Sequence, residues 1–101
     1  MTEERIHPPI HPGRVLELEF LEPLEMTPYA LAGMIGVDPT RIYKIVAGER
    51  SISGDTALRL ARLFGTSAEF WINLQSRYDL ERARYEHAEE IEREVRPMPP
   101  A

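Results

Sequence analysis

Four polar residues between positions 40 and 44 have the types and spacing best suited to chemistry in this sequence. They are Thr40, Arg41, Tyr43 and Lys44. Helical periodicity turns the aliphatic residues of the same stretch inward and leaves these four facing outward. The arginine and the lysine can bond to guanine, the threonine can reach a base edge or a thymine methyl, and the tyrosine can pack on thymine or bond a phosphate. The set predicts base reading in the major groove, with a merely solvated helix face as the alternative.

A second group of residues is suited to holding the phosphate backbone of a nucleic acid. Thr27 precedes a helix whose first amides point outward, and such a helix start favours anions. Arg50 and Ser51 lie in the loop after the outward-facing set and are predicted phosphate contacts. Tyr29 is either a phosphate contact or a half-buried packing residue, and the sequence does not decide between the two.

The distribution of charge supports a polyanionic partner although the whole chain is acidic. The net charge is -5 over 101 residues. Residues 1–36 carry a net charge of -4, residues 37–64 carry +2 and residues 65–101 carry -3. The basic charge is therefore concentrated around the predicted base-reading helix, where phosphates would lie.

The residues that enzymes use do not form a recognisable constellation. Cysteine is absent, which excludes thiol chemistry and cysteine-ligated metals. His7 and His11 lie in a proline-interrupted stretch, and His87 has no second histidine at helical spacing. Ser51 and Ser53 have no ordered base partner, and the carboxylates near the end are typical of a solvated helix face. We therefore expect no enzyme activity, no metal and no cofactor.

Membrane insertion and export are also not expected. No apolar run approaches the roughly 18 residues of a membrane span, and residues 1–5 are polar and acidic rather than a signal peptide. A cysteine-free chain of this kind is predicted to reside in the cytoplasm.

The periodicity between the two proline-rich ends is helical throughout and predicts an all-α, five-helix domain. The predicted helices are 15–21, 29–35 and 40–47, a fourth that starts at Ser53 and ends at Gly65, and a long fifth. A capping box from Thr66 to Glu69 opens the fifth helix, and ion pairs Glu89–Arg93 and Glu92–Arg96 are expected near its end. The predicted division is a flexible arm (1–11), the domain with its extended C-terminal helix (12–96) and a proline-rich tail (97–101).

The second and third helices are separated by only three residues, which predicts a helix-turn-helix unit. Ala32 is small where the two helices must approach each other, and Gly36 takes the turn position that favours positive φ. Ile42 and Ile45 supply the apolar face of the third helix.

The segments around this unit resemble a known family. Thr27-Pro28-Tyr29-Ala30-Leu31-Ala32, Gly36-Val37 and Ile42-Tyr43-Lys44-Ile45 resemble the lambda-repressor-like, XRE-type DNA-binding family. The flanking segments His11-Pro12-Gly13, Glu19 to Leu24, Asp55 to Ala61 and Phe70 to Gln75 are similar to the HigA (VapI-like) antitoxins. One departure is Pro28, which stands where many XRE-type proteins carry a phosphate-bracing glutamine.

The resemblance implies a homodimer on a palindromic, double-stranded operator and an antitoxin of a type II toxin–antitoxin module. Such an antitoxin would repress its own operon and neutralise a RelE- or HigB-like mRNA-cleaving toxin. A stand-alone XRE-type transcriptional regulator is the alternative, and an interaction protein that does not bind DNA is a third class.

The fifth helix is predicted to contribute to the core and to the dimer. Phe70, Trp71 and Leu74 are expected to pack under the helix-turn-helix unit, and Trp71, Leu74, Tyr78 and Tyr85 recur at heptad-like spacing that suits a dimer seam. A compact two-fold contact near the fourth and fifth helices is expected rather than a long coiled coil. The candidates for toxin contact are the acidic end of the fifth helix, the segment before Pro12 and the folded domain itself.

Overall fold

The computed structural model describes residues 8–100, and every regular element within them is helical. The elements are α1 (Pro12–Val15), a π-helix (Leu16–Leu21), α2 (Pro28–Ile35), α3 (Pro39–Val46), α4 (Gly54–Phe64) and α5 (Ala68–Glu94). Counted with its π-helical continuation, α1 is the first of five helices, so the all-α prediction is confirmed. His7, the rest of residues 1–7 in the predicted arm, and Ala101 of the predicted tail lie outside the described residues.

Polar side chains fix where the helices begin. Thr27 Oγ1 accepts a hydrogen bond from the amide of Ala30 at 3.0 Å, and Asp38 Oδ1 accepts one from the amide of Thr40 at 2.8 Å. A proline follows each of these caps at the first helical position, where its missing N–H costs nothing. The side chain of Ser53 caps α4 by accepting a hydrogen bond from the amide of Thr56. These predicted helix starts are confirmed to within a residue.

Gly36 makes the sharp turn between α2 and α3 possible. Its φ of 74° lies in the left-handed region, which L side chains rarely adopt. Ala32 is fully buried where the two helices pack. The predicted helix-turn-helix crossing is therefore confirmed.

The π-helix is a departure from the ordinary α-helix expected over residues 15–21. The amide of Glu22 bonds to the carbonyl of Glu17 at 2.9 Å, five residues back. The wider turn brings Leu16 and Leu21 to one face, and they are only 0% and 3% exposed. In an ordinary α-helix, two side chains five residues apart would point about 140° away from each other around the helix axis. We infer that core packing favours the π-helix here, and the hydrophobic periodicity of the sequence does not predict it.

Gly13 sets the separation between α1 and α3. A Cβ at this position would collide with the carbonyl oxygen of Ile45. Only glycine lets the two backbones approach this closely.

The start of α5 differs from the predicted capping box. Ser67 is the cap, and its hydroxyl accepts a hydrogen bond from the amide of Phe70 at 3.0 Å. Thr66 Oγ1 instead accepts a hydrogen bond from the indole Nε1 of Trp71 at 2.8 Å. The prediction of a box from Thr66 to Glu69 is wrong, because the buried indole N–H needs the threonine as its partner.

The ion pairs on α5 also differ from those expected. Two i,i+4 pairs form, Arg77–Glu81 and Arg82–Glu86, each at 3.1 Å. The predicted helical pair Glu92–Arg96 is wrong because α5 ends at Glu94, and the residue before a proline disfavours the α conformation. Glu89–Arg93 is likewise not among the ion pairs between residues 8 and 100.

Trp71 is fully buried at the centre of an aromatic cluster. Its ring centroid lies 5.0 Å from that of Phe20 and 4.9 Å from that of Phe70, and the Phe20 and Phe64 rings are 4.8 Å apart. The core role predicted for this tryptophan is confirmed. Its predicted place in a surface dimer seam is wrong, because no part of it is accessible.

Trp71 belongs to a single hydrophobic core to which the π-helix and α2 to α5 contribute. The buried members of this core are Leu16, Leu21, Leu31, Ala32, Ile35, Ile42, Ile45, Ile52, Ala57, Leu60 and Trp71.

None of the helices described here combines the length and the apolar character that crossing a membrane requires.

Candidate DNA interface

The helix α3 presents a polar face to solvent and fixes its opposite face in the core. Ile42 and Ile45 are 0% exposed, whereas Tyr43 is 50% exposed. Lys44 and Thr40 are also exposed. Because the aliphatic face is fully buried, the helix cannot rotate, and the direction of its polar side chains is set by core packing.

Arg41 does not extend freely from α3 as the sequence suggested. Its Nη1 donates to Asp55 Oδ2 at 2.9 Å and to Thr56 Oγ1 at 3.2 Å, and its side chain is only 26% exposed. The arginine that was predicted to face outward is thus only partly exposed and already bonds α4. The guanidinium carries five N–H donors, so its Nε and Nη2 groups remain for another acceptor.

Asp55 and its two arginine partners form a network that connects three helices. Besides Arg41 of α3, it accepts a hydrogen bond at 2.9 Å from Nε of Arg59, one turn further along α4. Arg59 Nη1 in turn donates to the carbonyl of Ile35 at 2.8 Å, which satisfies the C-terminal end of α2. The hydrogen bond from Arg41, followed by that from Arg59, lowers the pKa of Asp55. The ionised carboxylate therefore links α3 to α4, and Arg59 links α4 to the end of α2.

The start of α2 carries the two predicted phosphate contacts of that helix. The Thr27 side chain is exposed, and its oxygen accepts from Ala30, which leaves the hydroxyl proton available to an external acceptor. Tyr29 is 67% exposed, so the half-buried packing alternative is wrong.

The loop between α3 and α4 exposes Arg50 and Ser51 and then turns inward. Ile52 is 2% exposed, and its amide donates to Gln75 Oε1 on α5 at 2.8 Å. Sequence reasoning missed Gln75. The available signal was a polar residue one turn after Trp71 on the apolar face of α5.

His11 links three parts of the fold and was also missed as a structural residue. Its Nδ1 accepts a hydrogen bond from the amide of Gly13 at 2.9 Å, which caps α1. Its ring packs edge-on against Tyr78 at 4.8 Å and faces the backbone of Arg50. Burial lowers the pKa of His11, and this outweighs the opposing effect of Asp79.

The local electrostatics favour anion binding at this face. Asp55 compensates Arg41 and Arg59, whereas Lys44 and Arg50 form ion pairs with no carboxylate between residues 8 and 100. Within the same residues no group of three histidine or carboxylate side chains is arranged to hold a metal. The uncompensated cations of this face suit recognition of a polyanion.

Comparison with known proteins finds relatives that cover most of the chain. The helix-turn-helix family matches residues 18–71. Virulence-associated protein I of Dichelobacter nodosus is 49% identical over 76 residues, covering 75% of this chain and 70% of that protein. Antitoxin HigA-1 of Vibrio cholerae is 35% identical over 82 residues, covering 81% of this chain and 77% of that antitoxin.

A solved structure shows the same fold. The Pseudomonas aeruginosa antitoxin HigA, determined with the higBA promoter, superposes with a TM-score of 0.86 at 45% sequence identity. The superposition covers 90% of this chain and 99% of that one, so it includes the extended last helix as well as the helix-turn-helix unit.

Proposed function

We propose that this chain, which belongs to the XRE-type helix-turn-helix family, is the DNA-binding antitoxin of a type II toxin–antitoxin module. In this proposal it binds a palindromic operator as a homodimer, represses its own operon and neutralises a RelE- or HigB-like mRNA-cleaving toxin. The observation that carries the proposal is the exposed polar face of α3, held rigidly by its fully buried Ile42 and Ile45.

Each candidate residue has a part in this proposal. Thr40, Tyr43 and Lys44 face the base edges, and Arg41 joins them through the donors that Asp55 leaves available. The backbone of the operator is held by Thr27, Tyr29, Arg50 and Ser51. Phosphate contacts of this kind fix the register of α3 in the groove without reading sequence themselves.

The proposed dimer brings two copies of α3 to successive major grooves. Leu74, Tyr78 and Tyr85 line one groove along α5 together with Pro9 and Ile10. Leu74, Tyr78 and Tyr85 are the members of the predicted dimer seam other than the buried Trp71. Apolar side chains at this spacing suit a two-fold contact between copies.

Neutralisation of the toxin would use binding rather than catalysis. The chain is proposed to have no enzyme activity and to act in the cytoplasm, where its operator and the messenger RNA targets of the toxin are found. The exposed acidic end of α5 offers a surface complementary to a basic RNA-binding partner.

Co-expression tests the toxin part of the proposal. The chain is produced with the product of the adjacent open reading frame, and the two are purified through a tag on the antitoxin. We expect a small basic protein that arrests growth when expressed alone, that co-purifies with this chain and that is inactive in the complex. Growth arrest that persists in the presence of this chain would contradict the proposal.

A stand-alone XRE-type regulator is the second candidate, favoured by the fact that the residues proposed to bind DNA all lie within one compact unit. This candidate predicts operator binding with the same residues and no toxin that co-purifies. The co-expression experiment therefore separates the two functions.

A further inference from the structure

The structure points to a positioning role for Gln75 in DNA binding, although it lies on α5 and outside the helix-turn-helix unit. We propose that Gln75 fixes the loop between α3 and α4 so that Arg50 and Ser51 face the phosphate backbone. This inference rests on the proposed DNA-binding function and extends it to a residue that would not itself touch DNA.

The first half of the loop is held by hydrogen bonds to the end of α3, and the ring of His11 lies against the backbone of Arg50. The amide of Gly48 donates to the carbonyl of Ile45 at 3.0 Å, and the amide of Glu49 donates to that of Lys44 at 2.8 Å. These bonds continue the end of the helix and fix the loop as far as residue 49. Arg50 and Ser51, the exposed residues that follow, are not reached by them.

The second half of the loop is held by Gln75. Its Oε1 accepts from the amide of Ile52 at 2.8 Å, and both residues are nearly inaccessible, with 6% and 2% exposure. A buried amide without a partner is costly, so this bond determines where the backbone re-enters the core. Arg50, whose backbone His11 faces, and Ser51 therefore lie between the end of α3 and a second point that Gln75 fixes.

A second hydrogen bond fixes the orientation of the glutamine amide. Gln75 Nε2 donates to Asp79 Oδ1 at 2.9 Å, one turn further along α5. With its donor occupied in this direction, the amide can present only its oxygen to Ile52. Asp79 is exposed, so it can be changed with less risk to the core than Gln75.

The position of the loop can be measured through the salt dependence of DNA binding. The logarithm of the association constant falls with the logarithm of salt concentration, with a slope near -0.9 for each phosphate contact. A variant that merely lowers the folded fraction weakens apparent binding but leaves this slope unchanged. A variant that moves the loop away from the phosphates makes the slope shallower.

The experiment compares Gln75→Met, which keeps the length of the side chain and removes its acceptor, with the unaltered chain. The probe is the DNA duplex upstream of the chain's own coding sequence. We expect about tenfold weaker binding and a slope shallower by roughly 1.8 if a dimer loses one contact in each loop. Asp79→Ala should change the slope in the same direction by a smaller amount, and it covers the case in which Gln75→Met fails to fold.

Thr66→Val is the matched control, because it also removes a side-chain hydrogen-bond acceptor, but that acceptor is partly buried and bonds Trp71 rather than the loop. It should lower the folded stability and leave the salt slope as it is. A double-mutant cycle adds Arg50→Ala, which should have a much smaller effect in the Gln75→Met background than in the unaltered chain.

Two results would overturn the inference while the proposed function stands. One is a native salt slope in both the Gln75 and the Asp79 variants, and the other is an equal effect of Arg50→Ala in the two backgrounds. If the unaltered chain does not bind the upstream duplex, the DNA-binding function itself fails, and the inference fails with it.

Discussion

Arg41 of α3 and Asp55 at the start of α4 are joined by a 2.9 Å hydrogen bond from Nη1 to Oδ2. The two residues are 14 positions apart, and Asp55 simultaneously bonds Arg59. The pair therefore ties the side chain of Arg41, a proposed base contact of α3, to α4. Arginine recognition of guanine requires a fixed fork of donors, so the restraint favours selective over non-specific contacts.

The Arg41→Ala change is expected to cost about 1–3 kcal/mol on the operator and to relax the preference at one base pair in each half-site. Operator titration against a set of single-base variants measures both effects. Arg93→Ala, on the last turn of α5, removes the same charge away from α3 and is the control. Unchanged affinity together with unchanged base preference would exclude Arg41 as a base contact.

The Ala32→Leu change should overpack the crossing of α2 and α3. Ala32 is fully buried, and extra methyl groups in a packed core typically cost about 1–3 kcal/mol of unfolding free energy. Thermal unfolding and operator titration should both show a loss. If both match those of the unaltered chain, this crossing is not tightly packed.

Two glycine-to-alanine changes should have opposite effects. Gly13→Ala places a methyl group against the carbonyl oxygen of Ile45 and should be strongly destabilising. Gly33→Ala on α2 meets no atom within 4 Å and should stabilise the helix by about 0.5–1 kcal/mol. Chemical denaturation of the two variants side by side tests the close approach of α1 to α3, and equal effects would contradict it.

Much of this fold follows from local sequence signals. Thr27, Asp38 and Ser53 mark helix starts, and Gly36 marks a turn, because each acts on backbone within three residues of itself. The exposed face of α3 follows in the same way from helical periodicity. These features could be read before the structure was known.

The remaining features depend on contacts between distant parts of the chain. Gln75 bonds the amide of Ile52, 23 residues away, and Arg59 bonds the carbonyl of Ile35, 24 residues away. The residue type of Ile52 or Ile35 does not predict these bonds, because every residue other than proline offers the same backbone amide and carbonyl. The π-helix likewise results from packing Leu16 and Leu21 against the same core, which no local pattern encodes.

Folding stability should fall in mildly acidic solution because of His11. Burial lowers its pKa in the folded chain, so below the unfolded value of about 6.5 the unfolded chain binds more protons. The stabilisation that comes from the neutral form of His11 is therefore fully present above about pH 6.5. It is lost as the pH falls toward the pKa of His11 in the folded chain. Denaturant unfolding at about pH 7.5 and pH 5.5 measures this change.

His11→Asn is the control for that measurement. Asparagine keeps an acceptor for the amide of Gly13 and does not titrate. The variant should lose the pH dependence in this window. The pKa values of Asp38 and Asp55 are also lowered, but these carboxylates titrate only in more acidic solution. An unchanged dependence in the asparagine variant would assign the effect to other groups.

The acidic end of α5 is predicted to carry part of the toxin contact. Glu89, Glu90 and Glu94 are exposed there, and charge of this sign accelerates association with a basic partner. Changing all three to glutamine should slow toxin association and reduce its salt dependence, with operator binding unchanged or slightly tighter. Stopped-flow association at several salt concentrations is the measurement.

The matched control removes three other acidic charges, at Glu19, Glu22 and Glu69, and should leave the toxin association rate closer to that of the unaltered chain. If the glutamine variant at the end of α5 keeps its rate and its salt response, those glutamates only keep the helix solvated. The contact is then expected in the segment before Pro12.

Sequence-specific operator binding is the central claim, and a competition titration tests it most directly. The purified chain is titrated with the duplex upstream of its own coding sequence and with a scrambled duplex of the same composition, at one physiological salt concentration. Specific DNA-binding proteins prefer their sites by about 10³-fold or more, and we expect a preference of that order that decreases in a Tyr43→Ala, Lys44→Ala double variant. Equal affinity for the two duplexes would contradict the account.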